Sequence, residues 1–175
     1  MTAIESRGDL RLVMSVDGED VCQISVFADL APALAGQLEG VLPDDGILSH
    51  ARVAGDMVFW TLPFSSPWEN LMRTEEVGAQ RRSELGRARG AVCWYSPRQQ
   101  LCVVYGDDLA DENLRISYIG EVVDGFDALA LRGLECWLRP GQRVSLRLAT
   151  PEEKDSVPAR RSGHSPEEGQ NHVAA

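Results

Sequence analysis

The segment from residue 50 to residue 105 constrains the fold most, because it contains two successive β-hairpin patterns. The first, ARVAGDMVFWTL at residues 51–62, places apolar-rich arms around an Ala-Gly-Asp turn. The second, AVCWYSPRQQLCVVYG at residues 91–106, places β-branched and aromatic arms around a Ser-Pro-Arg-Gln turn. Neighbouring hairpins of this kind predict a sheet of antiparallel strands.

Short strand patterns separated by turns also occur before and after this segment. They are predicted at residues 10–16, 21–27 and 114–123, with a final pair of strands around a turn at residues 139–142. Leu30, Leu34 and Leu38 recur every four residues, which predicts a short amphipathic helix over one open end of the sheet. The pattern as a whole predicts an all-β fold with one or two short helices, a closed β-barrel of about eight strands.

The length of 175 residues fits one domain with a single core. We assign residues 1–149 to the barrel domain and residues 150–175, which lack aromatic residues and aliphatic periodicity, to a disordered tail. Residues 72–90 form an arginine-rich insertion that is long for a connection within a small barrel. This insertion is either a mobile or helical flap that attracts an anionic ligand or a solvated surface insertion.

Composition limits the partners and the compartment. A formal net charge of −10 argues against nucleic acid or an anionic membrane as a partner, since phosphate binding requires a basic surface. No segment has the pattern of a secretory signal, and no apolar run approaches the roughly 20 residues of a membrane span. We expect a cytoplasmic protein. Arginine in place of almost all lysine, with abundant alanine and glycine, indicates a bacterial source.

Side chains that commonly hold metals or form covalent intermediates are scarce. Lys154, His164 and His172 lie in the predicted tail, so no lysine and only His50 is available to a folded site. One histidine cannot build a multi-histidine metal centre within a subunit. The four cysteines lack a CxxC pair, which favours reduced core thiols. We therefore expect neither a metal nor an organic cofactor.

His50 is the first candidate for a catalytic residue. A hairpin centred on residues 55 and 56 places His50 on one face with Arg52, Phe59 and Thr61. The positive charge of Arg52 would lower the pKa of the imidazole and keep it neutral, so that it is able to act as a base. The alternative is an ordinary exposed residue on a strand.

A second candidate group is the loop that carries Trp68, Glu69 and Asn70. A carboxylate, an amide and an aromatic ring together supply a base, an orienting hydrogen bonder and a stacking surface. In the alternative interpretation Ser66 caps a helix, Pro67 takes its first position and Glu69 completes a capping box.

The second hairpin adds two further candidates. It places Cys93 opposite Cys102 and Tyr95 opposite Gln100. The facing thiols are either a reactive pair or, as we favour, small core residues with raised pKa values. Three tyrosines lie on predicted strands, at residues 95, 105 and 118, and a tyrosine at a pocket rim can donate to a carbonyl or an oxyanion. We select Tyr95, because it adjoins the proline turn.

Four segments, ARVAGDMVFWTLPF, PWEN, GAVCWYSPRQQLCVVYG and ISYIGEVVDG, resemble in this order the bacterial cyclophilin-like domain family. The resemblance covers residues 10–149 and implies an eight-stranded cyclophilin-type barrel, whose relatives mostly lack an assigned activity. Ala91 stands where the family carries an acidic residue, and the arginine-rich segment is an insertion. The arginine and Phe-x-x-x-Gln pattern of prolyl-isomerase cyclophilins has no counterpart here.

These observations lead to one main hypothesis and two alternatives. The main hypothesis is a barrel that binds a small anionic or carbonyl-bearing metabolite and isomerises or hydrolyses it by acid–base chemistry. Its catalytic residues would be His50, Glu69 and Tyr95, and its substrate-binding residues Arg52, Trp68, Asn70 and Cys102. The first alternative is a peptidyl-prolyl isomerase, with Arg52 as the nearest candidate arginine. The second is a non-catalytic module that binds another protein or forms a homodimer.

Overall fold

An antiparallel sheet that curves into a nearly closed barrel forms the framework of the computed structural model, which describes residues 10–157. Its strands are β1 (Leu10–Val16), β2 (Glu19–Val26), β3 (Asp44–Ile47), β4 (Ser49–His50), β5 (Gly55–Thr61), β6 (Leu71–Arg73), β7 (Ala91–Tyr95), β8 (Gln100–Leu109), β9 (Arg115–Asp124) and β10 (Arg143–Leu148). Its α-helices are α1 (Pro32–Val41), α2 (Thr74–Leu85), α3 (Phe126–Leu138) and α4 (Pro151–Ser156). The predicted fold class, an all-β barrel with short helices, is confirmed.

Nine strands follow one another around the barrel in the order β3-β10-β1-β2-β9-β7-β8-β5-β4. Only Leu48 separates β3 from β4, the two ends of this path. One bent segment, residues 44–50, therefore pairs with β10 on one side and with β5 on the other, and it closes the barrel. The sequence predicts about eight strands because β3 and β4, with four and two residues, are too short to show an alternating pattern.

The β1–β2 and β7–β8 hairpins, which have clear turn residues, form as predicted. Asp17 and Gly18 adopt positive φ angles in the turn between β1 and β2. In the β7–β8 hairpin, Cys93 pairs with Cys102 and Tyr95 with Gln100. The predicted helix is also present, since α1 begins at Pro32 and buries Leu34 and Leu38.

The predicted strand pair around residues 139–142 is wrong on its N-terminal side, where the chain forms α3 and not a strand. Its buried residues Leu129, Gly133 and Cys136 are spaced by four and three positions, which is the period of a helix. Only the C-terminal side of the turn is a strand, β10. This helix supplies one wall of the candidate site described below.

The core lies in two layers, one inside the barrel and one outside it. The inner layer includes alternate residues of β1, β2, β5, β7, β8 and β10, with Trp60 and Trp94 fully buried at its centre. The outer layer lies on the opposite face of the sheet and includes Val77 of α2, Cys93 and Cys102. Strand alternation thus places the two facing thiols outside the barrel.

Two helices close the two ends of the barrel. At one end, α1 contributes Leu34 and Leu38 to the inner layer. At the other end, α3 contributes Leu129 and Cys136 and contacts β2, β4, β5 and β8. We refer to these as the α1 end and the α3 end.

The arginine-rich insertion is packed against the outside of the barrel. The fully buried Arg81 of α2 donates from Nε to the carbonyl of Ala88, from Nη1 to Tyr118 Oη at 2.7 Å and from Nη2 to the carbonyl of Arg89. These bonds tie the connection after α2 to the sheet. Residues 72–90 are therefore not simply a solvated loop, although Arg82 and other residues of α2 face solvent.

Part of the predicted disordered tail is helical. Thr150 caps α4 by accepting from the backbone N–H of Glu153, and the Glu153 carboxylate pairs with Arg147 of β10. The prediction is therefore wrong for residues 150–156, because it did not recognise this capping box. The rest of the predicted tail, residues 158–175, lies outside the described residues. None of the helices within residues 10–157 is long and apolar enough to cross a membrane.

Candidate functional site

The candidate site is at the α3 end, and His50 at the end of β4 is its central residue. His50 pairs with Val58 of β5, so its side chain shares the inward face of Val58 and Trp60. The predicted face shared with Phe59 and Thr61 is wrong. The turn occupies residues 51–54 instead of being centred on residues 55 and 56, so His50 pairs with Val58 and not with Thr61. A shift in register by an odd number of residues exchanges the two faces.

Tyr105 of β8 meets His50 inside the barrel mouth. The distance between His50 Nε2 and Tyr105 Oη is 2.8 Å, and Tyr105 is 8% exposed. Gly133 of α3 lies directly on the Tyr105 ring, since a Cβ at this position would be 2.3 Å from Tyr105 Cγ. The Trp137 ring packs edge-on against the imidazole, with 4.8 Å between the two ring centres. Helix α3 thereby covers both partners of the hydrogen bond.

The second imidazole nitrogen determines the direction of that hydrogen bond. His50 Nδ1 is buried and has no partner within the described residues. A buried N–H without a partner is rarer and more costly than an acceptor without one. We therefore assign the proton to Nε2, which donates to Tyr105 Oη. This tautomer leaves the hydroxyl proton of Tyr105 for a second acceptor, and the Asp56 carboxylate lies in hydrogen-bonding contact with that hydroxyl.

Both partners are neutral near neutral pH. Burial lowers the pKa of His50 below its usual 6.5, and the charge of Arg52 adds to this effect while that of Asp56 opposes it. The predicted direction of the His50 shift is therefore correct, although burial is its main cause. Burial, followed by the charge of Asp56, raises the pKa of Tyr105 to about 12. The pair thus consists of a neutral imidazole hydrogen-bonded to a protonated phenol.

Charged side chains surround this pair. Arg52 lies with its guanidinium carbon 5.0 Å from the centre of the Trp137 ring, an arrangement that permits a cation–π interaction. Asp56 accepts the backbone N–H of Asp108 at 3.1 Å. Together these groups border an open cavity of about 250 Å³, lined by His50, Arg52, Gly55, Asp56, Tyr105, Asp108, Leu134 and Trp137. No arginine of residues 72–90 lines it, so the arginine-rich insertion does not form a flap over this cavity.

The predicted loop of residues 68–70 lies at the opposite end, the α1 end. Glu69 accepts hydrogen bonds from the backbone N–H groups of Ala33 and Leu34 at 3.0 and 2.8 Å, and so caps α1. Asn70 donates to the carbonyl of Tyr118 at 2.6 Å. Neither side chain is near His50, which excludes Glu69 and Asn70 from this cavity. The alternative capping box at Ser66 is also wrong, because no helix begins there.

The remaining predicted site residues are also away from the cavity. Trp68 and Tyr95 pack edge-on at 6.4 Å at the α1 end. Cys102 is buried in the outer layer, and burial raises the pKa of its thiol and that of Cys93, the latter to about 12. The preferred interpretation of both cysteines as unreactive core residues agrees with this burial. Of the seven predicted site residues, only His50 and Arg52 line this cavity.

Three important groups at the α3 end were not selected from the sequence. Tyr105 was one of the three strand tyrosines, but its position in the barrel mouth depends on the closure by residues 44–50. Asp56 was assigned only to a turn. Trp137 lies in α3, which was not predicted from the sequence as a helix. The helical spacing of apolar residues between positions 129 and 136 indicates this helix. Within residues 10–157, no group of three or more metal-ligating side chains is present.

Comparison with known proteins adds evidence on the fold. No family model and no curated protein matches the chain. The structure of McbB in complex with tryptophan is 21% identical with a TM-score of 0.61, and the match covers 78% of this chain and 44% of McbB. The solution structure of the hypothetical protein AF2241 from Archaeoglobus fulgidus is 17% identical with a TM-score of 0.56, covering 83% of this chain and all of AF2241. The chain spans less than half of McbB, and at these identities the likeness shows the fold alone.

Proposed function

We propose that this chain binds a small metabolite with a carboxylate or a carbonyl group in the cavity at the α3 end. The observation that carries the proposal is the 2.8 Å hydrogen bond between His50 and Tyr105 beneath an open cavity. A neutral donor pair at the base of a concave site, with Tyr105 buried and His50 half-buried, is typical of a ligand-binding or catalytic site. The proposal includes a cytoplasmic barrel of the cyclophilin-like type.

Tyr105 would be the group that contacts the ligand oxygen. Its hydroxyl exchanges its hydrogen bond to Asp56 for one to that oxygen when the ligand binds, while His50 Nε2 donates to Tyr105 Oη and stabilises negative charge that develops on it. Arg52, held against Trp137, supplies a cation for a carboxylate. The proposed chemistry is an isomerisation or a hydrolysis in which side chains alone transfer protons. The tryptophan bound by the neighbour McbB is consistent with a small organic ligand.

A thermal-shift titration with small carboxylates, lactams and ketones tests the binding. A ligand that binds only the folded state raises the melting temperature by mass action. We expect a shift with at least one of these classes, and about a five- to tenfold weaker affinity in Tyr105→Phe, since a hydrogen bond to the ligand is worth about 1–1.5 kcal/mol. Tyr95→Phe, at the α1 end, is the matched control. Equal effects of the two variants would overturn the site assignment, and no shift with any class would overturn the binding proposal.

The catalytic part has its own test. Any ligand found is incubated with the protein in D₂O, and NMR follows deuterium entry next to its carbonyl or its conversion to product. General acid–base catalysis by a positioned side chain contributes about 10²–10⁴-fold, so His50→Gln should lower the rate by at least the smaller factor. An unchanged rate in His50→Gln would exclude proton transfer through this pair.

A second candidate is a module that binds a peptide or protein, and one observation favours it. Leu131, Leu134 and Leu138 of α3 are 57%, 52% and 68% exposed beside the cavity. Exposed apolar side chains that cluster on one surface often mark interaction sites. Proline peptides in the same titration distinguish the candidates. A shift with peptides alone would favour this alternative and call for a cis–trans exchange assay.

A further inference from the structure

Three charged side chains border the cavity without pairing with one another. They are the guanidinium of Arg52 and the carboxylates of Asp56 and Asp108. Within the described part of the chain, none of the three forms a salt bridge, whereas seven ion pairs occur elsewhere. Charged groups that converge on one cavity and lack a protein counter-ion are available to a ligand of matching charge.

We propose that the ligand of this cavity is a zwitterion, a small amino-acid-like molecule with an ammonium group, a carboxylate and an apolar side chain. This inference rests on the proposed function, which places a ligand in the cavity. It adds two features of the ligand. The ammonium group is inferred from the carboxylates of Asp56 and Asp108, and the apolar side chain from the exposed apolar residues of α3 that line the cavity.

The charges around the cavity disfavour a ligand that is only anionic. Such a ligand is attracted by Arg52 but repelled by Asp56 and Asp108, both of which line the same space. An ammonium group on the ligand is attracted by the carboxylates of Asp56 and Asp108, so both interactions become favourable. A ligand with the two charges on neighbouring carbons therefore complements both signs at once.

Asp56 is the better positioned of the two carboxylates. One of its oxygens, Oδ2, accepts the backbone N–H of Asp108 at 3.1 Å, and the carboxylate also accepts a hydrogen bond from Tyr105, so both contacts fix its position. Each carboxylate oxygen has a second lone pair that can accept a ligand donor. The same carboxylate lies against Gly106, where a Cβ would be 2.2 Å from Oδ2. Asp56 is also only half-buried, so its charge is accessible from the cavity. The absence of a side chain at Gly106 is what allows this position.

The apolar part of the ligand would lie on α3. Leu134 and Trp137 line the cavity and are 52% and 41% exposed. The cavity volume of about 250 Å³ limits the ligand to a small molecule. An aromatic or branched aliphatic side chain would cover these two residues, while the ammonium and the carboxylate engage Asp56 and Arg52.

Three probes that differ in one group each test the proposal by isothermal titration calorimetry. They are L-phenylalanine, 3-phenylpropionate, which lacks the amine, and phenethylamine, which lacks the carboxylate. We expect L-phenylalanine to bind at least tenfold more tightly than either of the others. Equal binding of 3-phenylpropionate and L-phenylalanine would overturn the zwitterion and leave the proposed function intact. If none of the three binds while a carboxylate or ketone from the thermal-shift series does, the zwitterion alone is overturned.

Asp56→Asn identifies the group that selects the amine. Asparagine keeps an oxygen that accepts the Asp108 N–H, so the loop retains its hydrogen bond while the charge is lost. The affinity ratio of L-phenylalanine to 3-phenylpropionate should fall to about one in this variant, with little change for 3-phenylpropionate itself. Asp29→Asn, an exposed residue before α1, controls for net charge and should leave the ratio unchanged. A ratio that survives Asp56→Asn would overturn the assignment of Asp56.

Discussion

Both ends of the barrel contain polar and charged side chains, but these are paired within the protein at the α1 end, whereas at the α3 end they lack an ionic partner among the described residues. At the α1 end, Glu69 and Asn70 are bonded to the backbone of other elements. At the α3 end, the carboxylates and the guanidinium have no ionic partner within residues 10–157, and His50 Nδ1 is buried without a hydrogen bond. Polar groups that the protein itself satisfies stabilise the fold, whereas groups left unsatisfied beside a cavity are available to a ligand. For these carboxylate, amide and guanidinium groups, the difference between the ends is therefore one of pairing and not of composition.

A pair of glycine substitutions should give the largest contrast between the ends. In α3, a Cβ at Gly133 would be 2.3 Å from the Tyr105 ring, whereas nothing lies within 4 Å of a Cβ at Gly36 in α1. We expect Gly133→Ala to destabilise the fold by about 1–3 kcal/mol through overpacking. Gly36→Ala should stabilise it by about 0.5–1 kcal/mol, because alanine is the better helix former. Urea denaturation measures both, and changes of the same sign would contradict the close packing of α3.

Loss of the Glu69 carboxylate should weaken only the α1 end. Glu69→Ala removes the acceptor for two N–H groups of α1, which should cost about 1–2 kcal/mol of unfolding free energy. Affinity at the α3 end should not change. Glu39→Ala, on the exposed side of the same helix, should stay within about 0.5 kcal/mol. A loss of ligand binding in Glu69→Ala would show that the two ends are coupled.

The α3 end should respond to pH through His50. Because the pKa of His50 is lowered in the folded state, the unfolded chain binds a proton more readily. This contribution to stability is complete above pH 6.5 and is lost as the pH falls below 6.5 through the folded-state pKa. The melting temperature should therefore fall more between about pH 7.5 and pH 5.5 in the wild type than in His50→Gln. Parallel curves for the two proteins would mean that partial burial does not lower the pKa of His50 in the folded state.

The smallest effect on stability is expected from the two half-exposed tryptophans, which form a matched pair. Trp68 at the α1 end and Trp137 at the α3 end are each 41% exposed. We expect each alanine variant to change stability modestly, yet only Trp137→Ala should raise the pKa of His50 towards 6.5 and weaken ligand binding, since it uncovers the imidazole. NMR titration of the His50 ring measures this shift. The same response in Trp68→Ala would remove the distinction between the ends.

The sequence predicts those parts of the fold that depend on local interactions. The β1–β2 and β7–β8 hairpins follow from turn residues and β-branched arms, and the pairing of Cys93 with Cys102 follows from turn length alone. The fold class then follows from the number of short strands. Helix α3 was also locally encoded, in the spacing of Leu129 and Cys136, but the adjacent proline-glycine turn favoured a hairpin interpretation.

Most of the candidate site could not be predicted because it depends on distant pairing. Glu69 resembles a catalytic carboxylate in sequence, and only the position of α1, more than 30 residues earlier, shows that its oxygens are occupied. The inward face of His50 depends on whether its turn has one residue more or fewer. Tyr105 and His50 lie 55 residues apart, and their contact exists only once the barrel has closed.

The segment of residues 44–50, which completes the barrel, also carries His50. β4 contributes only two paired residues to its contact with β5, and Leu48 is held by one backbone bond to Gln142. A ligand that binds both Tyr105 of β8 and His50 of β4 would therefore hold β4 in place across its short pairing with β5, the weakest strand contact in the barrel. Backbone amides of residues 44–50 should exchange with solvent deuterium more slowly when the site is filled, and this local slowing would report occupancy without knowledge of the reaction.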